Sequence, residues 1–156
     1  MISEQDKMKK ISKLFVDKKF AEIERTIEKF GNLDDQSNLI LNFYSISKLL
    51  NTNSKREDYF LAAKFLEKIY SSDTTQKINL NNLIIASIGA NNFSYVERYL
   101  HDEYSKDPNN PNVLEGLSKM AYSKSNIEEA SKYFGEYAAI MKTNFKIWSS
   151  YLSIAS

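Results

Sequence analysis

The stretch Pro111–Thr143, PNVLEGLSKMAYSKSNIEEASKYFGEYAAIMKT, reads as two short antiparallel helices that the rest of the chain repeats. Asn110 precedes it as an N-cap, and Pro111 fits the first helical position without losing a needed hydrogen bond. Leu114, Leu117, Met120 and Ala121 recur at three- and four-residue steps, so they share one helix face. The turn SKSN ends this helix. Asn126 then caps a second one, with Glu129 placed to reach back to the cap's own backbone and with Glu128 and Glu129 at the positive end of the helix dipole. Its expected buried face is Ile127, Ala130, Phe134 and Tyr137.

Self-similarity at a fixed spacing signals a repeat architecture before any single motif does, and here the period is about 34 residues. At that step Ala130 maps back to Val96 and Ala62, Phe134 to Leu100 and Leu66, and Ile127 to Phe93 and Tyr59. In the first helix Leu117 maps back to Leu83, and Leu114 back to Leu80 and forward to Trp148. On these residues the chain resembles the tetratricopeptide repeat family. That unit has large residues at its fourth, seventh, seventeenth and twenty-fourth positions, small ones at the eighth and twentieth, and proline near the thirty-second. Pro108 falls on the proline position, Trp148 on the large fourth, and Ala62 and Ala130 on the small twentieth. Ile84 and Val96 depart from the pattern by occupying small positions, which implies a wider spacing of helices in the third repeat. The resemblance implies an all-α fold, a right-handed α-α superhelix (solenoid) of about four antiparallel helix pairs plus a C-terminal helix. A single domain over 1–156 would hold repeats at about 3–35, 36–75, 76–109 and 110–143, with the terminal helix at 144–156.

A formal net charge of +1, dispersed along the chain, supplies no basic stripe to neutralise phosphates and so disfavours nucleic acid. The absence of cysteine excludes disulfides, thiolate catalysis and cysteine-ligated zinc. No apolar run approaches the roughly 20 residues of a membrane span, and MISEQDKMKK lacks the apolar core of a signal peptide. The expectation is a soluble, intracellular (cytoplasmic) protein.

Taken in order, Ser3 caps a first helix with the apolar stripe Met8, Ile11, Leu14 and Phe15, and Lys7, Lys9, Lys10 and Lys13 form a solvated outer face. The second helix spans Phe20 to Phe30, with Gly31 as its stop. The step from Ile23 to Ala62 exceeds one period by five, so five extra residues lie between them, in the hydrophilic loop Asn51–Asp58 or near Asn32–Gln36. The third helix, about Ser37 to Leu50, presents Leu39, Ile40, Phe43, Ile46, Leu49 and Leu50, a surface wide enough to be buried on more than one side. Further helices are expected at Asp58–Tyr70, at Lys77–Ile88 ending at Gly89, and at Phe93–Tyr104. A ninth, from Phe145, bears Ile147, Trp148, Tyr151, Leu152 and Ile154 and has no partner helix in the chain.

Catalytic constellations are thin, and the expectation is no enzyme, no cofactor and no metal. His101 is the only histidine, no serine sits in a nucleophile elbow, and the sequence holds no glycine-rich phosphate loop and no HExxH. Asp34/Asp35 and Glu128/Glu129 are adjacent pairs, about 100° apart if helical, and do not converge as an acid and base would.

Binding suits this architecture better. Stacked helix pairs curve, and the first helix of each pair lines a concave groove suited to a peptide or helix of a partner. By the resemblance, the groove positions include Asn42 and Ile46 in the second repeat (with Leu39 and Leu49), Asn81, Ile85 and Ile88 in the third (with Ile78), and Lys119 and Tyr122 in the fourth. Each asparagine amide can donate to and accept from a ligand backbone. A competing reading assigns Leu49, Ile85 and Ile88 to the core between repeats. The expected role is a protein-interaction scaffold or adaptor. One alternative is a subunit of an RNA-processing assembly with half-repeats, suggested by Trp148 and Tyr151. Another is self-association as a homodimer through Trp148, Tyr151 and Leu152 of the last helix.

Overall fold

The computed structural model describes residues 2–142, and these form α-helices without a strand. In order they are α1 (Glu4–Val16), α2 (Phe20–Glu28), α3 (Asn38–Leu50), α4 (Arg56–Ser72), α5 (Lys77–Ala90), α6 (Glu97–Lys106), α7 (Pro111–Ser123) and α8 (Ile127–Met141), with a short 3-10 turn at Leu33–Asp35. The expected ninth helix, with Trp148, Tyr151 and Leu152, lies outside the described residues. The chain divides into two compact units, Met1–Ala90 and Asn91–Ser156.

In the first unit each helix packs on the next, and α3 also packs on α5. Ile11, Ile23, Ile27, Ile40, Leu41, Tyr44, Phe65 and Ile69 make one buried cluster. Edge-on rings extend it, with Phe15 5.7 Å from Phe20 and 5.4 Å from Phe43, and Tyr44 6.0 Å from Phe65. The second unit packs α6 on α7 and α7 on α8. Val113, Leu114, Leu117 and Ala130 are buried there, and the Ser118 hydroxyl donates to the Ala130 carbonyl across the pair at 3.0 Å.

Three turns close by one device. Lys18, Asn91 and Ser125 have positive φ (56°, 49° and 61°), and each stands at the same offset from the first residue of the preceding helix. At the ends of α1 and α7 the bonding is the Schellman pattern: Lys19 N–H to the Leu14 carbonyl with Lys18 N–H to Phe15, and Asn126 N–H to Ala121 with Ser125 N–H to Tyr122. A side chain at such a φ costs about 1–2 kcal/mol relative to glycine, less the extra entropy glycine loses on folding. Lys18→Gly and Ser125→Gly are therefore each expected to raise stability by about 0.5–1 kcal/mol in urea unfolding. Thr52, the corresponding residue after α3, is not among the positive-φ residues, and Thr52→Gly should give no gain.

The same register locates the five extra residues. α1 and α3 begin one full period apart, at Glu4 and Asn38, so the surplus follows the start of α3. The turn Asn51–Lys55 is two residues longer than its counterpart Asp17–Lys19, and α4 starts six residues before Ala62 whereas α2 starts three before Ile23. The surplus is thus shared between a longer turn and an extra first turn of α4.

Several expectations need correction. Ile127 is 56% exposed instead of buried, because it is the first residue of α8 and its side chain tilts back over the turn. Glu129 accepts from the Asn126 side-chain amide at 2.8 Å and not from its backbone, which the Ala121 carbonyl already engages. Phe93 and Val96 are buried as expected, but they precede α6, because Asn92 accepts from Ser94 N–H and starts a separate turn. Gly89 lies inside α5 instead of ending it. α3 does pack on α2, α4 and α5, yet of its six expected core residues only Ile40 is fully buried, while Leu39 and Leu50 are exposed.

Candidate interaction face

Two opposite sides of α3 have opposite chemistry. The inward side carries Lys48, 4% exposed, whose ammonium donates to Glu24 Oε1 at 2.7 Å and to Asp58 Oδ1 at 3.0 Å and lies 4.8 Å from the Tyr44 ring centre. Asn51 donates to the other Glu24 oxygen at 2.9 Å, and Asp58 Oδ2 accepts from Lys55 N–H at 2.8 Å. Burial opposes charge on Lys48, but the bonds from Glu24 and Asp58 outweigh it and hold the ammonium above its ordinary range. The Lys55 N–H first, and Lys48 after it, keeps the Asp58 carboxyl below the usual carboxylate value. Burial pushes the Tyr44 phenol up to about 12, assisted by Glu28, which accepts its O–H at 3.0 Å. Paired in this way, Lys48, Glu24 and Asp58 tie α2, α3 and α4 together.

The outward side is built differently. α3 and α5 hold no acidic residue, and their only cations are the buried Lys48 and Lys77 at the start of α5. Lys77 turns back to α4, donating to the Tyr70 hydroxyl at 3.3 Å with its ammonium 5.7 Å from the Tyr70 ring centre. The two helices keep one register: buried Leu41, Tyr44, Ser45, Ser47 and Lys48 match, in the same order and at the same spacing, buried Leu80, Leu83, Ile84, Ala86 and Ser87. In that register Leu39 pairs with Ile78, Asn42 with Asn81, Ile46 with Ile85 and Leu49 with Ile88. Leu39, Ile78 and Ile85 are 53%, 62% and 51% exposed, while Asn42, Ile46, Leu49, Asn81 and Ile88 are half-buried. The Asn42 side-chain oxygen is shielded from solvent and has no hydrogen-bond partner among the described residues. Two packed helices thus present aliphatic and amide groups without charge.

Of the sequence-predicted site residues, Asn42, Ile46, Asn81, Ile85 and Ile88 fall on this pair of helices. Lys119 and Tyr122 belong to α7 of the second unit, where both are exposed and Lys119 is ion-paired with Glu115 at 2.9 Å. A shallow cavity of about 420 Å³ lies elsewhere on the first unit, between Lys18–Glu22, Arg25 and Leu50–Thr52, and shares none of these residues. Its Lys19 pairs with Glu22 at 4.0 Å. Among the described residues no cluster of His, Asp or Glu could hold a metal, no helix is long and apolar enough to cross a membrane, and His101 is exposed on α6. No protein-family model, no curated protein and no solved structure matches this chain.

Proposed function

We propose that the chain is a non-enzymatic protein-interaction module, a tetratricopeptide-like right-handed solenoid working in the cytoplasm, that docks an amphipathic helix or extended apolar segment on α3 and α5. The observation that carries this reading is the half or greater exposure of Leu39, Ile78 and Ile85 on packed neighbouring helices whose outward sides bear no charge. Fully burying an exposed aliphatic side chain gives about 1.5–3 kcal/mol, and these three, about half exposed, each have roughly half of that still to gain, which supports binding without ionic help. Asn42 and Asn81 orient the ligand through its backbone.

The test is selection of helical peptides from a displayed library on the intact chain, followed by titration of the enriched peptides. Ile78→Glu with Ile85→Glu is expected to weaken them at least tenfold while leaving the helical circular dichroism intact. Asn42→Ala with Asn81→Ala should weaken them to a smaller degree. Enrichment of peptides indifferent to all four changes would remove the face from consideration.

A further inference from the structure

We infer that the cavity between the α1–α2 turn, the first turns of α2 and the end of α3 binds an acidic peptide segment with an apolar residue among its carboxylates. It is separate from the α3/α5 face and lies wholly within the first unit. At about 420 Å³ it falls in the size range of small-ligand sites. Its walls divide by chemistry. Phe20, half-buried, and Leu50, 48% exposed, supply the apolar part. The charged part is Lys18, Lys19 and Arg25 with one carboxylate, Glu22. Three positive charges against one negative make +2 at this place, in a chain whose whole formal charge is +1.

Most of that charge is free to meet a ligand. Glu22 reaches Lys19 at 4.0 Å with both side chains about half exposed, so water screens the pair. Glu24, the carboxylate next to Arg25 in the chain, is buried and taken by Lys48 and Asn51. Among the described residues Lys18 and Arg25 have no ion-pair partner. Arg25 follows the cavity-lining Ala21 by one helical turn, on the same face of α2, and a guanidinium fork donates two parallel bonds to a carboxylate. A simple anion such as phosphate would use the cations and leave Phe20 and Leu50 bare. An uncharged peptide would cover those two and leave the cations unpaired. An acidic peptide with an apolar side chain engages both parts.

The experiment titrates the ¹⁵N-labelled full chain at low salt with the peptide acetyl-Glu-Asp-Leu-Glu-Asp-amide. Its uncharged counterpart, acetyl-Gln-Asn-Leu-Gln-Asn-amide, and inorganic phosphate are titrated separately. The acidic peptide should give saturable amide shifts at Lys18–Glu22, Arg25 and Leu50–Thr52, and should bind about tenfold more tightly than either control. Arg25→Met with Lys18→Gly should weaken it about tenfold. Glu22→Gln removes the one opposing carboxylate and should tighten it about twofold. Glycine suits the positive φ of Lys18, so Lys18→Gly alone should weaken binding while the urea midpoint rises, a combination that unfolding does not produce. Three results would each overturn the site: no saturable shift at these residues below about 5 mM peptide, equal affinity for the uncharged counterpart, or full affinity in the Arg25→Met, Lys18→Gly double variant. Phosphate binding as tightly as the peptide would overturn the peptide as ligand.

Discussion

Lys48→Met is expected to destabilise the first unit by about 3–5 kcal/mol, far more than the loss of a surface ion pair such as Lys119 with Glu115. The cause is what remains behind. Glu24 is 9% exposed, and without the ammonium its carboxylate keeps only the Asn51 amide. Asp58 is less affected, since Lys55 N–H still caps it. A buried pair costs desolvation on both sides, so removing both charges is far milder than removing one, and Lys48→Met with Glu24→Met should return to within about 1–2 kcal/mol of the wild type. Urea unfolding followed by circular dichroism gives the magnitudes, and hydrogen exchange of α3 and α4 amides assigns them to this unit. Equal loss in the single and double variants would mean that the ion pair is not what joins these helices.

The pH dependence has a fixed sign. Asp58 has a lowered carboxyl value, so its contribution is present above the unfolded carboxylate pKa of about 4 and is lost as pH falls through the folded value. Lys48 is raised, so its contribution is complete below the unfolded lysine pKa of about 10.4 and is lost as pH rises through the folded one. The wild-type unit should be most stable between these limits. Lys48→Met should flatten the alkaline end, while the acid end largely persists because the Lys55 N–H still holds Asp58 low.

The helices are legible in the sequence because their signals are local. Ser3, Asn110 and Asn126 each cap the helix expected of them through a side-chain oxygen and a backbone N–H, and Ser37, read as the start of the third helix, caps it in the same way. The register of α3 against α5 is not legible, since the five surplus residues have two candidate places in the sequence; the structure puts them after the start of α3, and Asn42 and Asn81 then fall at equivalent places on packed helices. What composition conceals is which side of α3 faces inward. Its apolar residues nearly encircle it, and hydrophobicity alone assigns Leu39 and Leu50 to the core. The decisive residue is Lys48, a charge that reads as solvated until Glu24 and Asp58, on two other helices, are seen to pair with it. Such pairing is a tertiary property with no local signal. Gly89 misleads for a related reason, because a glycine near the end of an apolar run reads as a stop.

Two helical glycines should respond to alanine with opposite signs. A Cβ built on Gly89 would lie 2.6 Å from both Cγ and Cδ1 of Tyr59, the near end of a ring held between α4 and α5. Neither atom can withdraw without shifting the whole side chain, so the overpacking cost of about 1–3 kcal/mol opposes the helix-propensity gain of about 1 kcal/mol. Gly89→Ala is expected to lower stability on balance. Tyr59→Ala, which removes Cγ and the ring, should reduce that loss in the same chain, giving a coupling energy in the double-mutant cycle of about 0.5–3 kcal/mol. Around Gly135 in α8 nothing among the described residues lies within 4 Å of the equivalent Cβ. There the propensity gain is unopposed, and Gly135→Ala should stabilise by up to about 1 kcal/mol. Urea midpoints for the two alanine variants and the cycle decide the matter. If Gly89→Ala is neutral and uncoupled to Tyr59, the glycine does not serve the ring, and the α4–α5 contact has more freedom than this packing implies.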